Sequence, residues 1–181
     1  LYAIKAPAVA SRPAFGLWSR EVLLLINNMI LVVAAVTVLL GTLYPLIIDA
    51  LGGGRISVGP PYFNAVFIPL MCLLFAFLGF APNSRWKQSS TKPVVRQLAV
   101  ALVSSLAVAF IFPLLYGGEI NLGATLAVAL SLWIGVTCFQ DILAKTKRTG
   151  WSGLSRSYMG MQLGHLGIAV CIIGVAFTSI Y

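Results

Sequence analysis

Residues 22–48 read VLLLINNMILVVAAVTVLLGTLYPLII, with no charged side chain anywhere in the run. A helix crossing the hydrocarbon core of a bilayer needs about 20 predominantly apolar residues, so this stretch alone is long enough to span one. Arg20-Glu21 bound it on one side and Asp49 on the other. Four further apolar runs follow: 63–81, 97–116, 122–144 and 158–181. The whole chain has 181 residues, 60% of them hydrophobic and 9% charged. A soluble domain usually carries about 25% charged residues, and so few charges cannot cover a water-facing surface. The expected fold is therefore all-α, a polytopic transmembrane helix bundle of about five spans over residues 22–181. Prolines 45, 69 and 113 lie inside the runs and are expected to bend or end helices.

The formal net charge is +8, and its distribution excludes nucleic acid as the partner. Lys5, Arg12 and Arg20 precede the first run. Arg85, Lys87, Lys92 and Arg96 separate the second from the third, and Lys145, Lys147, Arg148 and Arg156 the fourth from the last. Only Arg55 falls elsewhere. A nucleic-acid binder would interleave such residues with aromatics on one face. Five crossings instead put all three clusters on one side, and the excess of Lys and Arg marks that side as cytoplasmic. The N-terminal segment 1–21 then lies in the cytoplasm and the C-terminus opposite. Leu1 is not a methionine and residues 1–21 contain no continuous apolar core, so the expectation is a stretch of a longer protein, not a signal peptide. Gly52-Gly53-Gly54 and Gly117-Gly118-Glu119 form the turns of the outer side.

Polar groups inside a bilayer are costly and are candidates for function. His165, the single histidine, sits about two turns into the last run, roughly 10 Å from the inner face. Tyr158, Gln162, His165 and Ala169 share one helical stripe, while Gly160, Gly164, Gly167, Cys171 and Gly174 share another. The second stripe is a surface for close helix packing, with a GxxxG step. The first leaves two readings of His165 open: a ligand to a metal or haem iron, or a structural histidine bonded to a neighbouring helix. Asp141 has Lys145 one turn later and is read as half of a snorkelling ion pair. Asn27-Asn28 are read as interhelical or interfacial groups. Cys72, Cys138 and Cys171 are far apart in apolar runs and read as small buried hydrophobes. No CxxCH, paired carboxylates, nucleophilic triad or phosphate loop is present, and no catalytic residue can be named.

Three stretches carry a resemblance. They are Ser19-Arg20-Glu21 followed by Leu24, Asn27-Asn28 and VLLGTLYPL (38–46); ISVGPPYFN (56–64), the most specific; and GMQLGHLGIAVCIIGVAF (160–177). In this order and spacing they resemble the CcmF family, the haem lyase subunit of the system I pathway of cytochrome c maturation. The resemblance implies a multi-pass protein of the bacterial inner membrane, or the corresponding organellar membrane. It implies assistance in covalent haem attachment to apocytochrome c. A CcmE-like haem chaperone and a CcmH-like subunit would be partners, beside membrane lipid.

It further implies a transmembrane haem b held between two histidines. His165, within Gly164-His165-Leu166-Gly167, matches one of them and would be the metal ligand through haem iron. Gln162 or Tyr158, one turn before, or a group on another helix, would orient the ring, with Gly164 and Gly167 beside it. The motif Gly59, Pro60, Pro61, Tyr62, Phe63 and Asn64 would border or brace the haem-handling surface on the outer side. The family's tryptophan-rich haem-receiving segment, its periplasmic histidines and its second transmembrane histidine have no counterpart here. The expected role is thus a part of the haem lyase, with the second axial ligand outside this chain. Two rivals are a transporter fragment with broken helices around Pro69 and Pro113, and a structural subunit packed through the Gly160 stripe.

Overall fold

The computed structural model describes residues 20–83, 91–115 and 120–180. Five helices run through them: α1 (Arg20–Ala50), α2 (Pro60–Leu78), α3 (Thr91–Leu115), α4 (Leu122–Thr149) and α5 (Arg156–Ile180). Single 3₁₀ turns, Ala81–Asn83 and Trp151–Gly153, follow α2 and α4. Among the described residues there is no β-strand. The all-α transmembrane bundle expected from the apolar runs is what the chain forms. Four helical segments, Glu21–Ala50, Pro60–Leu78, Leu122–Thr149 and Arg156–Thr178, are long and apolar enough to cross a membrane. In α3 the apolar part, Val95–Ile111, is shorter, although the helix itself has 25 residues. At about 1.5 Å per residue it reaches past a hydrocarbon core of about 30 Å. Most of the N-terminal segment 1–21 and the Gly117-Gly118-Glu119 turn lie outside the described residues.

The helix ends follow local chemistry. Pro60 and Pro61 occupy the first helical positions of α2, with Gly59 as its N-cap. Proline is suited there, since its missing N–H would have no partner in the helix. The segment 60–64 is accordingly the first turn of α2 and not the irregular loop its Pro-Pro step suggests. The Asn121 side chain caps α4, accepting from the Gly123 and Ala124 N–H groups at 2.9 and 3.2 Å. Gly150 ends α4 at φ 70°, a left-handed conformation that costs a residue with a Cβ, and its N–H closes on the Thr146 carbonyl at 2.9 Å. Pro45 and Pro69 both lie inside helices that continue beyond them. The broken helices that a transporter fragment would show are absent from α1 and α2.

The bundle is inverted in the size of its residues. Leu24, Val32, Leu46, Val103, Leu163 and Val170 point outward. The buried set is rich in Ala34, Ala101, Ser105, Ala109, Ala129 and Thr137. Lipid tails solvate leucine as well as another helix does, so association rests on close packing and on cross-helix hydrogen bonds. Ala101, Ser105 and Ala109 recur every fourth residue on α3, all essentially inaccessible, and α3 packs on α4. The Ser105 hydroxyl donates to the Ala101 carbonyl at 2.7 Å and so satisfies itself within its own helix. On α1 the stripe Leu23, Ile30, Ala34, Thr37 and Gly41 is buried, and α1 packs on α2.

Helix α4 is the hub, packing against α2, α3 and α5. Its Trp133 is 5% exposed. The indole N–H donates to the Ala76 carbonyl of α2 at 3.0 Å, and Phe80 meets the ring edge-on at 5.3 Å. Trp133, Ile134 and Cys138 form the core with Ala101, Ala169 and Ile172.

Candidate functional site

Three cross-helix bonds, at two levels, set the register of the antiparallel pair α4–α5. The Ser131 hydroxyl donates to the Ala169 carbonyl at 2.8 Å. Nearer the other end, Asp141 Oδ2 accepts from the Tyr158 hydroxyl at 2.8 Å and from Gln162 Nε2 at 2.7 Å. His165 lies on α5 between these two bonded levels.

This arrangement changes the reading of α5. The stripe of Tyr158, Gln162, His165 and Ala169 is the face packed on α4: Gln162 is 1% exposed and Ala169 6%. The glycine stripe is the one left open. Gly160, Gly164, Gly167 and Gly174 are exposed, and a Cβ on any of them would meet nothing within 4 Å. Cys171 is exposed with them, and Cys72 is partly so; only Cys138 is the buried cysteine expected of all three. The sequence expectation of a glycine docking face is therefore not met within this chain. The reason is that α4 supplies hydrogen-bonding partners for the polar stripe, which outweigh close packing against glycine. Gly164 and Gly167 flank the histidine in sequence but face away from α4.

The imidazole of His165 is held by its own helix. Nδ1 stands 2.8 Å from the Met161 carbonyl one turn back. A carbonyl only accepts, so Nδ1 carries the proton and Nε2 presents a lone pair. That Nε2 is buried and has no hydrogen-bond partner. The ring is oriented by a backbone carbonyl and not by the expected Gln162 or Tyr158, which are both taken up by Asp141. Among the described residues the histidine makes no hydrogen bond to a neighbouring helix.

Asp141 and Lys145 do not form the expected ion pair. The carboxylate is met by Tyr158 and Gln162, while the Lys145 ammonium lies over the Tyr158 ring, 3.5 Å from its centroid. An aromatic face attracts a cation without requiring a carboxylate to leave better partners. Asn27 and Asn28 bond only to one another, at 3.4 Å. Sequence reading did not assign Asp141 to the site. The available signal was a carboxylate inside a span with polar residues on the next helix.

The motif at the start of α2 belongs to a different helix pair. Tyr62 donates to the Thr37 carbonyl of α1 at 3.2 Å, and Tyr62 and Phe63 meet edge-to-face at 5.3 Å. Both fit over Gly41, where a Cβ would lie 2.8 Å from Tyr62 and 3.0 Å from Phe63. Gly59, Pro60, Pro61 and Asn64 shape and expose this turn without joining it to His165. Among the described residues no group of three or more His, Cys, Asp or Glu side chains is placed to hold a metal. His165 could supply a metal with one ligand only.

No protein-family model and no solved structure matches the chain. Curated relatives do. Over 185 residues it is 48% identical to the cytochrome c-type biogenesis protein CcmF of Pseudomonas aeruginosa, covering 100% of this chain and 28% of that protein. The protein of the same name from Escherichia coli is 38% identical over 181 residues, with the same coverage. The chain belongs to the CcmF family. The related CycK of Rhizobium meliloti, a cytochrome c-type biogenesis protein, is 34% identical over 191 residues. The chain spans about 28% of the length of these CcmF-type relatives.

Proposed function

We propose that the chain is part of the haem-handling membrane machinery of cytochrome c maturation, and that His165 supplies one axial ligand to a transmembrane haem b. The observation that carries this reading is the state of the imidazole. Its Nδ1–H is consumed by the Met161 carbonyl, and its Nε2 lone pair is buried without a partner. Leaving a buried acceptor unsatisfied costs about 1–3 kcal/mol. A bound metal is one way in which such a group is satisfied. Fixing one ring nitrogen on a carbonyl is also how metal-ligating histidines are set in tautomer and orientation. Haem iron, when bound, supplies one-electron chemistry that the chain's own side chains lack.

The chain's own residues would do the rest. Met161 holds the proton on Nδ1, and the packing of α5 on α4 holds the ring's helix. His165 Nε2 would be the atom that holds the iron. The second axial ligand would come from outside this chain. The proposed location is the bacterial inner membrane, as the family resemblance implies, and the basic links would put the N-terminal segment and both cationic connections in the cytoplasm and the C-terminus in the periplasm. The Tyr62–Phe63 motif then braces the outer side, where apocytochrome c, a CcmE-like haem chaperone and a CcmH-like subunit would be met. Haem attachment itself would be an activity of the longer protein.

The test is the haem spectrum of the protein expressed at the full length of its relatives. A b-type absorbance that His165→Ala weakens or abolishes is expected. Unchanged haem content in that variant removes the ligand assignment.

A further inference from the structure

Asp141 is a carboxylate inside a candidate span, with two donors and, among the described residues, no cation within a salt bridge. Both bonds end on the same oxygen, Oδ2. The Lys145 charge is turned onto the Tyr158 ring. Gln162, which takes the shorter bond, is fully buried, and its other polar atom, Oε1, has no partner. One turn further along the same face is His165, whose Nε2 is also a buried acceptor without a partner. The donors of both side chains are thus committed, Gln162 Nε2 to Asp141 and His165 Nδ1 to Met161. Two bare acceptors remain, with an anion behind them. Both acceptors are buried, where charge interactions are weakly screened, and Lys145 on the Tyr158 ring offsets only part of the carboxylate's charge.

We infer that the Asp141–Gln162 pair would tune a metal held at His165, acting through its charge and favouring the oxidised form of the iron. The inference rests on the reading of His165 as a haem ligand. It assigns to Asp141 a role that goes beyond holding α4 to α5. A bis-imidazole ferric haem core carries one more positive charge than the ferrous core. A nearby fixed anion therefore stabilises the ferric state and lowers the reduction potential. Gln162 contributes through its dipole. Its NH₂ end is pinned by Asp141, and its carbonyl oxygen is buried without a partner one turn before His165. Tyr158 gives the carboxylate a second donor on the same oxygen.

The experiment is a spectroscopic redox titration of the haem b in the full-length protein, with wild type, Asp141→Asn and Asp141→Glu compared at matched haem content. Asp141→Asn is expected to move the midpoint to a more positive potential, and Asp141→Glu, which keeps the charge, to return it towards wild type. A role confined to helix packing would lower protein yield without moving the potential of the haem that remains. If Asp141→Asn does not accumulate, Gln162→Leu is read in its place; it severs the link and removes the dipole, and a positive shift is again expected. A midpoint unchanged in the variant that accumulates overturns the inference and leaves the ligand assignment standing. Haem that survives His165→Ala overturns the ligand assignment and this inference with it.

Discussion

Gly79 faces the indole of Trp133 so closely that a methyl group in place of its hydrogen would overlap the ring. Gly79 follows the last residue of α2, and Trp133 stands in the middle of α4. The absent side chain is what lets the indole N–H reach the Ala76 carbonyl. In a bilayer, where apolar area gives little net drive for helices to associate, such a fit and such a bond carry the contact. Gly79→Ala should therefore displace Trp133 from α2 and cost about 1–3 kcal/mol, the usual range for overpacking a tight interior. Thermal unfolding in detergent, read against Trp133→Phe, checks this. Trp133→Phe should cost less, because it removes one hydrogen bond and keeps an aromatic ring in place.

The α3–α4 contact depends on small residues at every fourth position, Ala101, Ser105 and Ala109. Ser105→Leu should separate the helices and lower the unfolding temperature. Ser105→Ala should be nearly neutral, since the hydroxyl bonds within α3 and not across to α4. A Ser105→Leu protein as stable as wild type would contradict the packing described here.

Tyr62→Phe removes the bond to the Thr37 carbonyl. Cross-helix hydrogen bonds in membranes average about 0.6 kcal/mol, so a small loss of stability is expected. Gly41→Val should cost more, because it pushes both Tyr62 and Phe63 off α1. Equal effects from the two variants would mean that the hydrogen bond, and not the fit over Gly41, sets this contact.

His165→Leu should not weaken the haem-free bundle. The imidazole makes no cross-helix bond, and the substitution removes a buried acceptor that has no partner. Where a buried polar group is unsatisfied, an apolar replacement of similar size is neutral or stabilising. Unfolding of the haem-free protein would show an equal or higher midpoint. A clear loss of stability would mean that Nε2 has a structural partner.

How much was legible can be judged at particular residues. The apolar runs and the links between them foretold five helices, with bounds that shifted mostly at the ends. Pro60-Pro61 opens α2 ahead of the apolar run at 63–81, and α4 continues past the run at 122–144 through Lys145 to Thr149, because a helix end outside the hydrocarbon is free to carry charge. His165 stands out in the sequence as a polar group to explain. Its orienting partner was not, because a backbone carbonyl leaves no trace in residue identities.

The amino-acid sequence by itself determined the solvent, the helical state of the chain and the order of its spans, because length, hydropathy and charge placement depend on residue type alone. Only the tertiary structure decided which face of each helix looks inward. In water, a helix announces its buried face by hydropathy. In lipid, both faces are apolar, and the inner face is chosen by size and by hydrogen-bonding partners that lie on other helices. That is why Gly160, Gly164 and Gly167 remain open while Gln162 and Asp141, 21 residues apart in the chain, meet in the interior.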